Sequence, residues 1–242
     1  MIKIGVYGAA GKMGKEIISA LGNNDKCILE YALTREAGNI DDLCIKSDVV
    51  IDVSSPEGTL TLLPYAEQHN TKLLICTTGF TKAQYQQLIE ASKKIALLHA
   101  VNTNFLVNIL EYLVSKSAKI LGPEYDVEIL EAHHNAKKDA PSGTALNLGR
   151  LVSKARGDDF IPHDHQNGTR PANAIGFSVI RGGNLSGEHH VMFIGPNDKI
   201  TLSQTSQNRI GYAEGAIKAA IWLASQPKGL YKMQDIFDFD EV

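Results

Sequence analysis

Cysteine is scarce: Cys27, Cys44 and Cys76 are the only three in 242 residues. An odd count with no CxxC spacing argues against a disulfide framework and against a structural zinc site. Cys27 and Cys76 fall in apolar, strand-like runs, where a reduced buried thiol is the ordinary outcome. That suits a reducing cytosol. Net charge is small as well, at −3, so no general affinity for polyanions follows and nucleic acid is not an expected partner. Long apolar runs are missing, and none approaches the ~20 residues of a membrane span. The opening MIKIGVYGAAGKMG is too short and too glycine-rich for a signal h-region. These absences point to a soluble cytoplasmic protein with no membrane partner. What remains is ordinary globular composition, 43% hydrophobic and 21% charged, with length for one large domain or two small ones.

The first hundred residues alternate strand and helix patterns. Strands are expected at 2–7, 27–33, 48–53, 72–76 and 95–99, and helices at 12–21, 57–69 and 81–93. Near-continuous apolar strands alternating with helices imply a parallel sheet covered on both faces. After about residue 104 the pattern changes. A long helix is expected over 105–121, a strand at 127–132, a helix at 142–155 and a polar loop over 156–174. Three short strands then follow at 175–181, 188–194 and 199–204, separated by Gly, Pro and Asn turns that suggest a mixed or antiparallel sheet. A helix near 209–225 closes the pattern. The expected fold is α/β: a Rossmann-type parallel-sheet domain (1–104 and 210–242) plus a second α+β domain with a mixed sheet (105–209). The first would bind a dinucleotide, the second substrate and other subunits.

Gly8-Ala9-Ala10-Gly11-Lys12-Met13-Gly14 follows the first strand and opens the first helix. This GxxGxxG varies the dinucleotide motif, in which glycines permit a tight turn and close approach of backbone to a pyrophosphate. The helix N-terminus adds N–H donors and partial positive charge. A glycine motif alone is weak, but its place between a clear strand and a clear helix strengthens it. The bland reading is a strand-to-helix turn with no ligand. The second strand ends in Thr34-Arg35 where an acidic residue would favour NAD. Arg35 and Lys12 suit a 2′-phosphate instead, unless Arg35 is only a solvated surface charge.

The most unusual stretch is Glu131-Ala-His133-His134-Asn-Ala-Lys137-Lys138-Asp139-Ala-Pro141-Ser142-Gly143-Thr144. Hydride addition to a conjugated imine leaves negative charge that a proton must quench, and histidine suits that task near neutral pH. Lys137 is a cation able to stabilise such charge or hold a carboxylate. Ser142, Gly143 and Thr144 open a helix whose free N–H groups form an anion site. A small acidic substrate is implied. A pair of surface histidines at a strand end is the alternative. A zinc site from His133, His134, His163, His165, His189 and His190 lacks both the HExxH spacing and cysteine ligands, so no metal is expected.

This segment, E-A-H-H-N-A-K-K-D-A-P-S-G-T-A, resembles the E-A-H-H-x-x-K-x-D-A-P-S-G-T-A signature of the dihydrodipicolinate reductase family. Family-like stretches also run along the chain: V-Y-G-A-A-G-K-M-G at 6–14, D-V-S-S-P-E-G-T at 52–59, C-T-T-G-F at 76–80, N-F at 104–105, I-G-F-S-V-I-R-G-G at 175–183, G-E-H at 187–189, S-Q-N-R at 206–209 and G-L-Y-x-M-x-D at 229–235. The resemblance implies a homotetramer that reduces 4-hydroxy-tetrahydrodipicolinate with NADH or NADPH, in lysine and diaminopimelate biosynthesis. His133 falls at the general-acid position and Lys137 at the assisting lysine. His134, Lys137, Gly143 and Thr144 fall at carboxylate-binding positions. Gly8, Gly11, Lys12, Met13 and Arg35 fall at the dinucleotide loop and adenosine end, and Thr77, Thr78, Gly79, Asn104 and Phe105 near the nicotinamide. The chain departs from the family pattern at Leu106 and Asn108, at Lys12 in place of a common Arg, and at Thr34 in place of a common acid. With Thr34 neutral, the expectation is use of both cofactors with a lean to NADPH. The rivals are a semialdehyde or homoserine dehydrogenase, the former needing an activated cysteine for which Cys76 is the candidate, and a nicotinamide-sensing protein without catalysis.

Overall fold

The computed structural model describes residues 1–22, 24–165 and 168–237. The chain falls into two compact units, Met1–Phe105 with Ile210 onward, and Leu106–Arg209. The expected first domain also includes Asn23 and 238–242, and the expected 156–174 loop includes Gln166 and Asn167; these lie outside the described residues.

The first unit opens with β1 (Ile2–Tyr7), α1 (Lys12–Leu21), β2 (Cys27–Leu33), α2 (Ile40–Lys46), β3 (Val49–Asp52), α3 (Pro56–His69), β4 (Lys72–Ile75), α4 (Lys82–Ser92) and β5 (Ala96–His99). Next come α5 (Phe105–Leu121), β6 (Asp126–His133), α6 (Gly143–Arg156), β7 (Pro162–His163), β8 (Ile175–Arg181), β9 (Gly187–Ile194) and β10 (Lys199–Ser206). The chain then returns to the first unit with α7 (Ile210–Leu223) and β11 (Gly229–Tyr231).

The first sheet has the order β11-β5-β4-β3-β1-β2, and every pairing in it is parallel. Its strands read as near-continuous apolar runs because both faces are covered. Ile4, Val6, Val49 and Ile51 pack on one side with Ile17 of α1 and Ala216 and Ala220 of α7. Val50, Leu73 and Ile75 pack on the other with Leu43 of α2, Leu62 of α3 and Leu88 of α4. α7 lies so close to the chain leaving β5 that a Cβ at Gly215 would stand 1.8 Å from the Thr103 carbonyl oxygen.

Two elements of this unit went unread in the sequence. α2 has only seven residues, too few for its periodicity to stand out. Its start is set instead by Asn39, whose side-chain oxygen accepts from Asp41 N–H at 2.7 Å. β11 has three half-buried residues and exists through its pairing with β5.

The second sheet has the order β10-β9-β6-β8-β7. It is mixed: β6, β8 and β7 run parallel, while β9 is antiparallel to β6 and β10. β7 falls inside the stretch expected to be loop. Val127, Ile129, Phe177, Val191 and Phe193 face inward against Leu110 and Val114 of α5 and Leu148 and Val152 of α6. Among the described residues no helix is long and apolar enough to cross a membrane.

Candidate active site

β6 is where the second unit places its chemistry. Side chains alternate along a strand, so the parity that buries Val127 and Ile129 also turns Glu131 inward. Glu131 is fully buried. An isolated carboxylate there would be costly, and the neighbouring strands supply its partners. Arg181 of β8 donates to both oxygens, at 2.6 Å to Oε1 and 2.8 Å to Oε2. Ser142 N–H donates to Oε1 at 2.9 Å. His133 Nδ1 lies 2.5 Å from Oε2. Burial alone would raise the Glu131 carboxyl, but these donors outweigh it and hold the group below its usual range. An ionised carboxylate can only accept, so the His133 proton at this contact sits on Nδ1.

His133, the last residue of β6, is partly exposed. Burial pushes its imidazole below the ordinary histidine value, the Glu131 hydrogen bond and charge oppose that, and Lys137 and Arg181 add to the lowering. Its Nε2 side borders Gly187, where a Cβ would come within 3.1 Å of that nitrogen. The ring also meets His189 of β9 edge-on, with centroids 5.3 Å apart. His189 is buried, and desolvation followed by the charge of His133 pushes it down to about 4.

The chain after His133 turns back on itself. Gly182 N–H donates to His133 O, and Lys137 N–H to His134 O. The Lys137 ammonium lies 2.9 Å from Asp139 Oδ1. Ser142 is the N-cap of α6, its hydroxyl accepting from Ala145 N–H at 3.2 Å. That hydroxyl is buried and lies 3.3 Å from His189 Nε2, so Ser142 serves the helix start while exposed Gly143 and half-buried Thr144 present its first turn. His134 is half-buried. Charge and hydrogen bonding thus link His133, Lys137, Asp139 and Gly143 across the turn, with His134 and Thr144 next to them in sequence. From sequence, Glu131 and Arg181 had no assigned role, and His189 only that of a rejected zinc ligand. The available signal was a charged residue at position 131, in phase with the apolar Val127 and Ile129.

In the first unit, Gly8 has φ +89° and a Cβ there would meet Val53 O at 2.8 Å, so the turn after β1 admits only glycine. Gly14 is equally confined, by Gly8 O at 2.5 Å. Gly8 and Ala9 N–H both donate to Leu33 O, tying the loop to the end of β2. Among the described residues no side chain caps α1 at Gly11 and no acid stands in its first turn. Its leading N–H groups suit an anionic ligand. Ala10 and Lys12 are exposed, whereas Ala9 and Met13 pack on the core. Arg35 is exposed. Thr34 Oγ1 accepts from Ala37 N–H at 3.1 Å and so shapes the turn after β2.

At the same carboxyl edge of that sheet, after β4, Thr78 and Gly79 line a 390 Å³ cavity with Phe80, Tyr85 and His99. His99 closes it, its Nε2 3.1 Å from Thr77 O and its ring against Phe80 and Tyr85. Thr77 itself is buried. Asn104 is also buried, and Phe105 packs 4.4 Å from Phe237. The cavity lining therefore takes in Thr78 and Gly79 but not Asn104 or Phe105. Cys76 has a thiol pushed well above its usual range by burial and then by Asp52, the reverse of an activated nucleophile.

Residues 2–103 match the family model described as dihydrodipicolinate reductase, N-terminus, and residues 107–237 its C-terminus counterpart. Two curated relatives are named 4-hydroxy-tetrahydrodipicolinate reductase. One, from Rickettsia bellii, is 44% identical over 98% of this chain and 95% of its own length. The other, from Rickettsia canadensis, is 41% identical over 98% and 99%. Among solved structures, a dipicolinate-bound dihydrodipicolinate reductase from Paenisporosarcina sp. TG-14 aligns with a TM-score of 0.84 at 26% identity, covering 98% of this chain and all of its own.

Proposed function

The chain belongs to the dihydrodipicolinate reductase family, and from that premise we propose which of its residues carry the reaction. It is an oxidoreductase of lysine biosynthesis, reducing 4-hydroxy-tetrahydrodipicolinate with a nicotinamide cofactor. NADH or NADPH, when bound, supplies the hydride; a proton completes the reduction, and water and tetrahydrodipicolinate leave.

The first unit holds the cofactor. Glycine at 8 and 14 and the uncapped start of α1 fit a pyrophosphate on Gly8, Ala9, Ala10, Gly11, Lys12 and Met13. Arg35 takes the adenosine end, and the turn Thr77, Thr78 and Gly79 flanks the nicotinamide, with Asn104 and Phe105 supporting that end from within the fold. Thr34 offers no carboxylate to repel a 2′-phosphate, so both cofactors serve, NADPH the better.

The second unit holds the dicarboxylate. Lys137, His134 and the N–H groups of Gly143 and Thr144 receive its carboxylates, behind which Ser142 caps the helix. The dipicolinate in the Paenisporosarcina relative is a dicarboxylate of this kind. His133 donates from Nε2 the proton that quenches the charge left by hydride addition. The observation that carries this reading is the His133 ring itself. Nδ1 is held 2.5 Å from a buried carboxylate, and Nε2 borders a glycine. A semialdehyde dehydrogenase would need a thiolate, and Cys76 is held as a thiol.

Assembly is as a homotetramer through the second sheet. The face away from α5 and α6 leaves Ile180 48% exposed towards one end, with Leu130, Met192 and Ile194 half-buried along it, an apolar surface that suits another copy. The deciding experiment gives the purified chain pyruvate and aspartate semialdehyde with the upstream synthase and follows reduced-nicotinamide absorbance. Absorbance that falls only when this chain is present is the expected result; no fall would reject the assignment.

A further inference from the structure

Glu131 stands at a core position of β6, between strands that supply Phe177, Val191 and Phe193 to the same cluster. A buried ion pair is often replaceable by apolar residues without loss of stability, so stability alone gives no reason for a carboxylate here. Its hydrogen bonds do give one. Oε2 meets His133 Nδ1, Oε1 meets the N–H of Ser142 at the head of α6, and Arg181 clamps both oxygens.

We propose that Glu131 is a positioning residue. It holds His133 with the proton on Nδ1 and Nε2 turned to substrate, and it fixes the anion-binding start of α6 in the same act. The inference rests on the reading of His133 as proton donor. Four ionisable groups face that imidazole: Glu131 from its own strand, Arg181 from β8, His189 from β9 and Lys137 from the following turn. Only Glu131 is negative. Without it, the imidazolium that must form before Nε2 can donate faces the cations Lys137 and Arg181 uncompensated.

The experiment compares wild type with Glu131→Gln in steady-state pH profiles and in 15N spectra of the His133 ring. In Glu131→Gln, kcat at neutral pH should fall about 10²-fold, at the low end of what a positioned acid contributes. KM for the cofactor should stay put. The fall of kcat at high pH should move down by about one unit or more, as loss of a close opposite charge requires. The spectra should show Nδ1–H in wild type and lose that preference in the variant. Wild-type kcat and an unmoved pH profile in Glu131→Gln, or an Nε2–H tautomer in wild type, overturns the proposal. Should Glu131→Gln fail to fold, Glu131→Asp decides. It keeps the charge opposite Arg181 but draws back from His133, and full kcat in that variant would equally overturn the idea. A wild type with no reductase activity would sink the functional reading instead, and the tautomer measurement would still decide this one.

Discussion

Lys137 and Asp139, two residues apart in the turn after β6, face each other with Nζ 2.9 Å from Oδ1. The Asp139 carboxylate also accepts from Gly143 N–H, and Lys137 foremost holds its carboxyl below the usual range. Asp139 thus occupies the two donors proposed for a substrate carboxylate. Asp139→Asn should therefore tighten binding of dipicolinate several-fold. Lys137→Ala should lower kcat/KM by about 10- to 100-fold, since a charge-assisted hydrogen bond is worth roughly 1.5–3 kcal/mol. Calorimetric titration of the first variant and kinetics of the second test this; weaker dipicolinate binding in Asp139→Asn would show that the aspartate supports the site and does not compete for it.

His133→Gln removes the proposed proton donor and keeps a polar group of similar reach. It should lower kcat by about 10²–10⁴-fold while dipicolinate affinity changes little. Turnover equal to wild type, with an unchanged melting curve, would take His133 out of the mechanism.

His189 links pH to stability. In the folded chain its pKa is about 4 against an ordinary 6.5. The unfolded chain therefore takes up the proton first as pH falls, and folding stability from this group is fully present above 6.5 and lost progressively down to about 4. Over about 2.5 units the loss amounts to roughly 3 kcal/mol, at about 1.4 kcal/mol per unit. His189→Asn should be less stable than wild type at neutral pH, with the gap narrowing near pH 4.5. Denaturant titrations of both proteins at the two pH values test it, and a gap of constant size would assign the acid sensitivity elsewhere.

Arg35 bears on cofactor choice. It is exposed at the end of β2, next to a threonine already engaged in shaping its own turn. Arg35→Ala should raise KM for NADPH more than for NADH, and the difference should shrink at high salt because part of it is Coulombic. Equal losses with the two cofactors would mean that another residue reads the adenosine end.

The alternating pattern of the first hundred residues was legible because a doubly covered parallel sheet leaves a strong local trace, near-continuous apolar strands such as Val49–Ile51 of β3 and Leu73–Ile75 of β4. The glycine loop was legible for a related reason. Gly8 and Gly14 answer to backbone atoms a few residues away or on the adjoining strand end, so steric need writes the residue type directly. α2 and β11 left little trace, one being a capped helix of about two turns, the other three residues held by pairing.

The site divides in the same way. Chain order alone brought His133, His134, Lys137, Gly143 and Thr144 together, since they share one strand end, one turn and one helix start. It could not say what stands behind them. Arg181 and His189 lie 50 and 58 residues beyond Glu131, and they reach His133's end of β6 only through the register of β6 with β8 and β9, in which Glu131 pairs with both Val179 and His189, and His133 with Arg181. Side-chain periodicity reports which face of its own strand a residue occupies. Which strands lie alongside, and in what register, is decided by packing of the whole sheet against α5 and α6, and that packing gives the buried carboxylate its arginine and the His133 ring its edge-on His189.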